Sequence, residues 1–210
     1  MKTVLCYGDS NTWGSDPADP NSRFPWDVRW PGVLQRELGD GFHVVEEGLG
    51  DRTTVFDDPW IPNRNGLALL VPCLETHAPL DLVVIMLGTN DVSYRSVSAA
   101  EAADGAGVLV DVVQRSECGK DGDAPKVLLL CPPPVGPITR WADLYAGAEE
   151  KSRELPAEFE RIAKLMGCDW MDLGKVVANS PLDGWHMEAS EHRKLAVAVA
   201  AKIEEILAGN

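Results

Sequence analysis

No apolar run in the 210-residue chain approaches membrane-spanning length, and no Pro/Gly/Ser-rich stretch or shift of composition divides it. The first absence argues against a spanning helix, and the second predicts a single domain over residues 1–210. Positive charge is scarce. The chain has 19 Lys and Arg against 33 Asp and Glu, a formal charge of −14, and its basic residues are scattered. That balance argues against nucleic acid and against anionic membrane surfaces as partners, since both need clustered cations. The five cysteines (Cys6, Cys73, Cys118, Cys131, Cys168) are odd in number, widely spaced and without a Cys-x-x-Cys pair. Neither a disulfide framework nor a zinc site is indicated, and small buried apolar residues in a reduced compartment are expected. Met1-Lys2-Thr3 leads directly into an apolar run, which leaves no room for a signal peptide and predicts a cytoplasmic protein. There is no internal repeat.

What the chain does have is an alternation of short apolar runs with helical patterns. Thr3 to Tyr7 reads as a buried parallel strand that stops at Gly8-Asp9-Ser10-Asn11. A polar segment with Trp13, Pro17, Pro20, Phe24, Pro25 and Trp26 follows, too irregular for an element and too aromatic for a plain linker, and is expected to form an ordered loop at the mouth of a cleft. Trp30 to Leu38 has helical spacing, with Pro31 in the first turn and Gly39 as the stop. Phe42 to Glu46 is a second strand, ended by the turn Gly48-Leu49-Gly50-Asp51. After a loop with Pro59 and Pro62, a helix is predicted from about Arg64 to His77.

Leu80 to Leu87 is the most apolar strand and should be central, ending at Gly88-Thr89-Asn90-Asp91. A helix from Ala99 to about Arg115 precedes a fourth strand, Lys126 to Cys131, stopped by Pro132 to Pro134. A loop with Trp141 and Tyr145 leads to a helix from about Glu149 to Met166, in which Pro156 would force a kink or a late start. Cys168 to Leu173 is a fifth strand, and Glu188 to Leu207 a final amphipathic helix. This order implies right-handed crossovers and a parallel sheet covered on both faces.

Ligands of such sheets bind at the carboxyl ends of the strands. Ser10, Asp51 and Asn90 all fall there. Asp183-Gly184-Trp185-His186 stands just before the last helix; two residues three apart in a helical turn project from one side, so Asp183 could accept from one ring nitrogen of His186 while the other faces outward. Ser10, His186 and Asp183 would then be nucleophile, base and orienter. The Asn90 amide with the N–H groups of Ser10 and Asp51 would form an oxyanion hole. Each residue also has a local alternative: Ser10 as a helix N-cap, Asn90 closing the Gly88-Thr89 turn, Asp183 as a turn residue, His186 exposed before a helix. Gly48 and Gly50 could serve a tight turn alone; they make no dinucleotide fingerprint, because Thr53 stands where a third glycine is required. Trp13 and Trp185 adjoin these motifs and either wall a substrate pocket or merely pack. His43, His77 and His192 read as structural or exposed.

Gly8-Asp9-Ser10-Asn11, Gly48, Gly88-Thr89-Asn90-Asp91 and Asp183-x-x-His186 resemble the four motif blocks of the SGNH/GDSL hydrolases, in order and over nearly the whole chain. Trp13-Gly14, Asp27-Val28-Arg29-Trp30, Glu46-Glu47-Gly48-Leu49, Arg52-Thr53-Thr54 and Pro132-Pro133-Pro134 resemble the bacterial arylesterase and acyltransferase branch. The resemblance implies a flavodoxin-like three-layer α/β/α sandwich with a five-stranded parallel sheet. It also implies a Ser-His-Asp triad without metal or cofactor, hydrolysis of short-chain acyl or aryl esters through an acyl-enzyme, and a homo-oligomer. Acyl transfer to alcohols or peroxide and deacetylation of carbohydrate are alternatives on the same site; a flavodoxin-like binding module is the alternative from another class. Asp51 departs from the family, which has a glycine or small residue there, and the Gly-x-Ser-x-Gly elbow of α/β-hydrolases is absent because Thr12 stands at its second glycine.

Overall fold

Successive residues of the three middle strands enter two different hydrophobic clusters, as the period of two in a strand requires. The computed structural model describes residues 1–58, 60–94, 97–138, 143 and 145–208; Pro59 and Trp141 lie outside them. In chain order the elements are β1 (Lys2–Gly8), α1 (Ser10–Trp13), β2 (Ser15–Asp16), β3 (Asp19–Arg23), α2 (Trp30–Leu38), β4 (Phe42–Gly48), α3 (Gly66–His77), β5 (Leu82–Met86), α4 (Thr89–Tyr94), α5 (Ala99–Gln114), β6 (Lys126–Cys131), α6 (Ala148–Met166), β7 (Asp169–Asp172) and α7 (Ala189–Ala208). Short 3-10 turns follow α2 at Gly39–Gly41, precede β6 at Lys120–Gly122 and follow β7 at Leu173–Lys175.

The main sheet has the order β4-β1-β5-β6-β7 with every pairing parallel. On one face Leu5, Tyr7, Val83, Ile85, Val127 and Leu129 pack under α3, α5 and α6. On the other, Val4, Cys6, Leu82, Val84, Leu128 and Leu130 pack under α2 and α7. This is the three-layer α/β/α sandwich expected from the alternation, with β5 central and buried along its whole length. Two lysines fasten the last turn of α7 to the amino-terminal edge of the sheet: Lys2 Nζ donates to Leu207 O at 3.3 Å and Lys126 Nζ to Ile206 O at 2.7 Å. A cation at a helix C-terminus satisfies carbonyls that have no partner within the helix.

Four local expectations change. The segment after Trp13 forms a small antiparallel hairpin, β2 with β3, with a bulge between Ser15 and Asp16; its strands carry Asp, Pro, Asn, Ser and Arg and are largely exposed, so no apolar alternation marks them. β4 runs two residues past Glu46, because its partner β1 continues in register to Gly8. α6 starts at Ala148 and runs through Pro156, which neither ends it nor delays it; its buried face of Leu155, Phe159 and Ile162 supplies packing that outweighs one missing backbone hydrogen bond. The strand end after β5 opens a short helix, α4, in place of a turn.

One close approach joins the end of β4 to the last residues of the chain's first helix. A Cβ on Gly48 would lie 2.1 Å from Trp13 N and 2.5 Å from Thr12 C, both backbone atoms, whereas a Cβ on Gly50 would meet nothing within 4 Å. Gly48→Ala should therefore destabilise the protein by about 2 kcal/mol or more by forcing α1 off β4, while Gly50→Ala should stay within about 1 kcal/mol of wild type. Chemical denaturation of the two variants measures both; equal losses would show that the close contact is absent.

Candidate active site

The carboxyl ends of β1, β4 and β5 and the loop before α7 meet around a cleft of about 520 Å³. Ser10, Asp51, Asn90, Asp183 and His186 all line it, so groups from four widely separated stretches share one edge of the sheet. The cap of α1 is Asp9 and not Ser10: Asp9 is extended, and its Oδ1 accepts the Asn11 N–H at 2.9 Å. Ser10 is thereby the first residue of a one-turn helix, its hydroxyl turned to the cleft.

His186 Nε2 lies 3.0 Å from Ser10 Oγ, and its Nδ1 lies 2.6 Å from Asp183 Oδ2. With the ring proton on Nδ1 donated to Asp183, Nε2 is left to accept the Ser10 hydroxyl proton. The Asp183-to-His186 step is made by turns and not by a helical turn. Gly184 has φ +94°, and Asp183 Oδ1 accepts the N–H of both Trp185 (3.1 Å) and His186 (3.1 Å). An L side chain at Gly184 would also strike the carbonyl of Pro137 at 2.8 Å. Burial pushes the Asp183 carboxyl up, but the His186 ring and the two N–H donors outweigh it and hold the group below the usual carboxylate range.

Asn11, unremarked in the sequence beyond its place in a motif, straddles the histidine. Its Nδ2 donates to Trp185 O at 2.8 Å and its Oδ1 accepts the Met187 N–H at 3.0 Å, so one amide holds the peptide groups on both sides of His186. Asn11 is itself buried. Any polar residue can bind backbone locally, and nothing in residue type or spacing distinguishes an amide whose two partners lie 174 and 176 positions away.

The turn after β4 is bound from beneath by Arg52. Its Nη1 donates to Gly8 O at 2.9 Å and to Glu47 O, and its guanidinium lies 4.1 Å from the Tyr7 ring centroid. Arg52 N closes the turn onto Leu49 O at 3.2 Å, which leaves Asp51 in the left-handed region at φ +58°. Among the described residues the N–H groups of Ser10 and Asp51 meet no protein acceptor. Asn90 Nδ2 donates to Arg52 O at 3.0 Å, so this amide, in the first turn of α4, cross-links the segments that follow β4 and β5. Asp91, fully buried, accepts Thr54 N and Thr54 Oγ1 and ties the same two segments together.

Trp13 and Trp185 both line the cleft. Arg23 stacks on Trp13 at 4.9 Å, donates from Nε to Trp13 O at 2.6 Å, and meets Glu46 at 3.5 Å, the carboxylate that Arg29 also holds at 2.5 Å. Trp185 packs edge-on against Tyr145 with ring centroids 4.5 Å apart. Pro17 and Pro20 complete the rim, as expected of the aromatic loop. Of the other histidines, His43 is exposed, His77 ends α3 with Nε2 2.9 Å from Glu47 Oε1, and His192 is buried beneath α2. Among the described residues no group of three or more metal-ligating side chains occurs, and no helix is long and apolar enough to cross a membrane.

Two buried titratable groups lie under the cleft with opposite consequences for stability. His192 Nδ1 accepts the Trp30 N–H, capping α2, and burial with the nearby His186 pushes its pKa down to about 4. The unfolded chain then takes up this proton first as pH falls, so stability is lost between about pH 6.5 and pH 4. Asp9 is pushed up to about 6, chiefly by burial, so the folded protein takes up that proton first and stability is gained as pH falls from about 6. The two effects offset one another in the wild type. The unfolding free energy of wild type relative to His192→Asn should fall by about 3 kcal/mol between pH 7 and pH 4. A difference that does not vary with pH would mean that His192 is not held neutral.

A model of the GDSL-like lipase/acylhydrolase family matches residues 6–193. Comparison with curated proteins found no match. Among solved structures, the native aryl esterase of M. smegmatis is 43% identical and superposes with a TM-score of 0.93 over 98% of this chain and 99% of that one. Est24, a carbohydrate acetylesterase from Sinorhizobium meliloti, is 39% identical with a TM-score of 0.94 over 98% and 100%. A lipolytic G-D-S-L family protein from Veillonella parvula DSM 2008, at 13% identity and a TM-score of 0.69, shares the fold alone. A serine at the head of α1 in a five-stranded parallel sandwich, with a family match over most of its length, makes this chain a member of the GDSL-like lipase/acylhydrolase family and a carboxylic ester hydrolase.

Proposed function

We propose that the protein hydrolyses short-chain acyl or aryl esters through an acyl-enzyme on Ser10, with His186 as base and Asp183 as its orienter. The observation that carries this reading is the unbroken chain from Asp183 Oδ2 through the imidazole to Ser10 Oγ, with contacts of 2.6 and 3.0 Å. His186 Nε2 takes the hydroxyl proton as Ser10 Oγ adds to the ester carbonyl carbon. The carbonyl oxygen becomes an oxyanion, received by the N–H groups of Ser10 and Asp51 and by Asn90 Nδ2, whose amide plane is already oriented by Arg52 O. Collapse expels the alcohol or phenol, which takes the proton from His186. Water then attacks the acyl-enzyme with the same histidine as base, releasing the acid and restoring Ser10.

Trp13, Trp185 and Tyr145 give the cleft flat apolar walls suited to an aromatic leaving group. The same walls suit the apolar face of a sugar ring, which makes acetylated carbohydrate the second reading. Relative kcat/KM on p-nitrophenyl acetate and on a peracetylated monosaccharide separates them.

Ser10→Ala should lower hydrolysis of p-nitrophenyl acetate by about 10⁴-fold or more at an unchanged thermal midpoint, and Asn90→Ala should lower kcat by about 10² to 10³ with KM little altered. A folded, active Ser10→Ala protein would end the proposal; an Asn90→Ala protein with wild-type kcat would remove Asn90 from the oxyanion hole. Asn11→Leu, which deletes both bonds around His186, should lower kcat by about 10-fold or more while KM holds, because a displaced base is felt in the chemical step and not in binding. Equal kcat in that variant would show that the His186 loop holds its position without the amide.

A further inference from the structure

Arg64 is the one cationic side chain among the described residues that line the cleft, apart from what His186 carries when protonated. Its backbone is fastened to the turn after β4: Arg64 O accepts both Thr53 N at 2.9 Å and Thr53 Oγ1 at 3.1 Å, and Asn65, the next residue, bridges Thr53 and caps α3. Thr53 follows Arg52, whose carbonyl orients Asn90. Arg64 is therefore anchored through its backbone to the segment that carries Asp51 and orients Asn90.

Its guanidinium is poorly used by the protein. Nη1 makes only long bonds to carbonyls of its own loop, 3.2 Å to Pro62 and 3.4 Å to Asn63. Nε is buried without an acceptor, and among the described residues Arg64 meets no carboxylate. In a chain with an excess of 14 acidic groups, scarcity does not explain this. Arg23, Arg29, Arg115, Arg153 and Arg161 each hold an Asp or Glu. A half-buried guanidinium with donors to spare, walling a cavity, is a receptor for a planar oxygen anion, because its fork matches a carboxylate in geometry and charge.

Resting on the esterase reading, we propose that Arg64 is a specificity determinant that selects esters bearing a carboxylate, pairing with that group while the ester carbonyl sits at Ser10. Asp51 and Asp183 line the same cleft, so a carboxylated ester gains only where its anion reaches Arg64; this makes the preference one of position as well as charge. The carboxylate can belong to the acid or to the alcohol portion of the ester, and both place the same chemistry against the same side chain.

The test compares kcat/KM for two pairs of near-isosteres, followed by pH-stat: monoethyl glutarate against ethyl pentanoate for the acid portion, and 4-acetoxybenzoate against methyl 4-acetoxybenzoate for the alcohol portion. In at least one pair the wild type should favour the carboxylated ester, and the pair that does so identifies the portion Arg64 reads. Arg64→Gln should cut that preference about 10-fold or more, chiefly through KM, and Arg64→Lys should retain part of it. Loss of structure alone would lower both members of a pair together and leave their ratio, so an unchanged ratio in Arg64→Gln overturns the proposal. A wild type that hydrolyses the neutral esters but favours neither carboxylated one overturns it too, while leaving the esterase reading standing. Failure to hydrolyse any of the four would overturn both.

Discussion

A serine and a histidine 176 residues apart make a proton path only if something sets their separation to within a few tenths of an ångström. Here that is the Asn11 amide. It sits next to Ser10 in a one-turn helix and grips the peptides on either side of His186, so the distance between hydroxyl and imidazole is set by one rigid residue and not by the whole path around the sheet. The remaining order of the site builds outward from this pairing: Asp9 caps the helix that carries Ser10, Asp183 turns the loop that carries His186, and Gly184 gives that loop its left-handed bend.

Beneath the amide lies a second level of constraint. The sheet is buried on both faces, and β1 runs in register with β4 and β5 so that Gly8 pairs with Gly48 and with Met86. Three strand ends are thereby level, and the turns that follow them are close enough for side chains to join one to another. Arg52 binds the carbonyls of β1 and β4, Asn90 binds Arg52, and Asp91 binds Thr54. Hydrophobic burial brings these ends together but has no directional preference; the buried polar bonds select one arrangement among those that burial allows. The Asp51 backbone in the left-handed region is part of that selection, held by the Arg52–Leu49 turn bond rather than by any preference of aspartate.

Much of this was legible in the residue order. The five strands and the five long helices announce themselves by apolar period, and Ser10, Asn90, Asp183 and His186 fall at strand ends or before a helix, where side-chain chemistry is recognisable by type. What was not legible depends on partners rather than on residues. The β2–β3 hairpin is too polar to alternate, and Pro156 sits in a helix whose packing overrides it. Gly48 and Gly50 look alike in sequence and differ only in what lies opposite them. Asp9 took the capping role that Ser10 could have filled, because the chain is already extended at Asp9. The roles of Asn11 and Arg64 carry no pattern of their own, since one is defined by two distant backbone groups and the other by the carboxylate it does not meet.

The lysines that bind the last turn of α7 have a consequence for how the chain could be rearranged. Lys2 and Leu207 are in contact at the amino-terminal edge of the sheet, while Ser10 and His186 meet at the carboxyl edge. A connection of a few residues would join Lys2 to the last turn of α7, and both are separated from the cleft by the length of a strand. The fold is thus suited to circular permutation that joins these two segments and opens new ends in an exposed connection such as 120–123, and to tethering on a solid support through residues beside Lys2, with the mouth of the cleft left facing the solution.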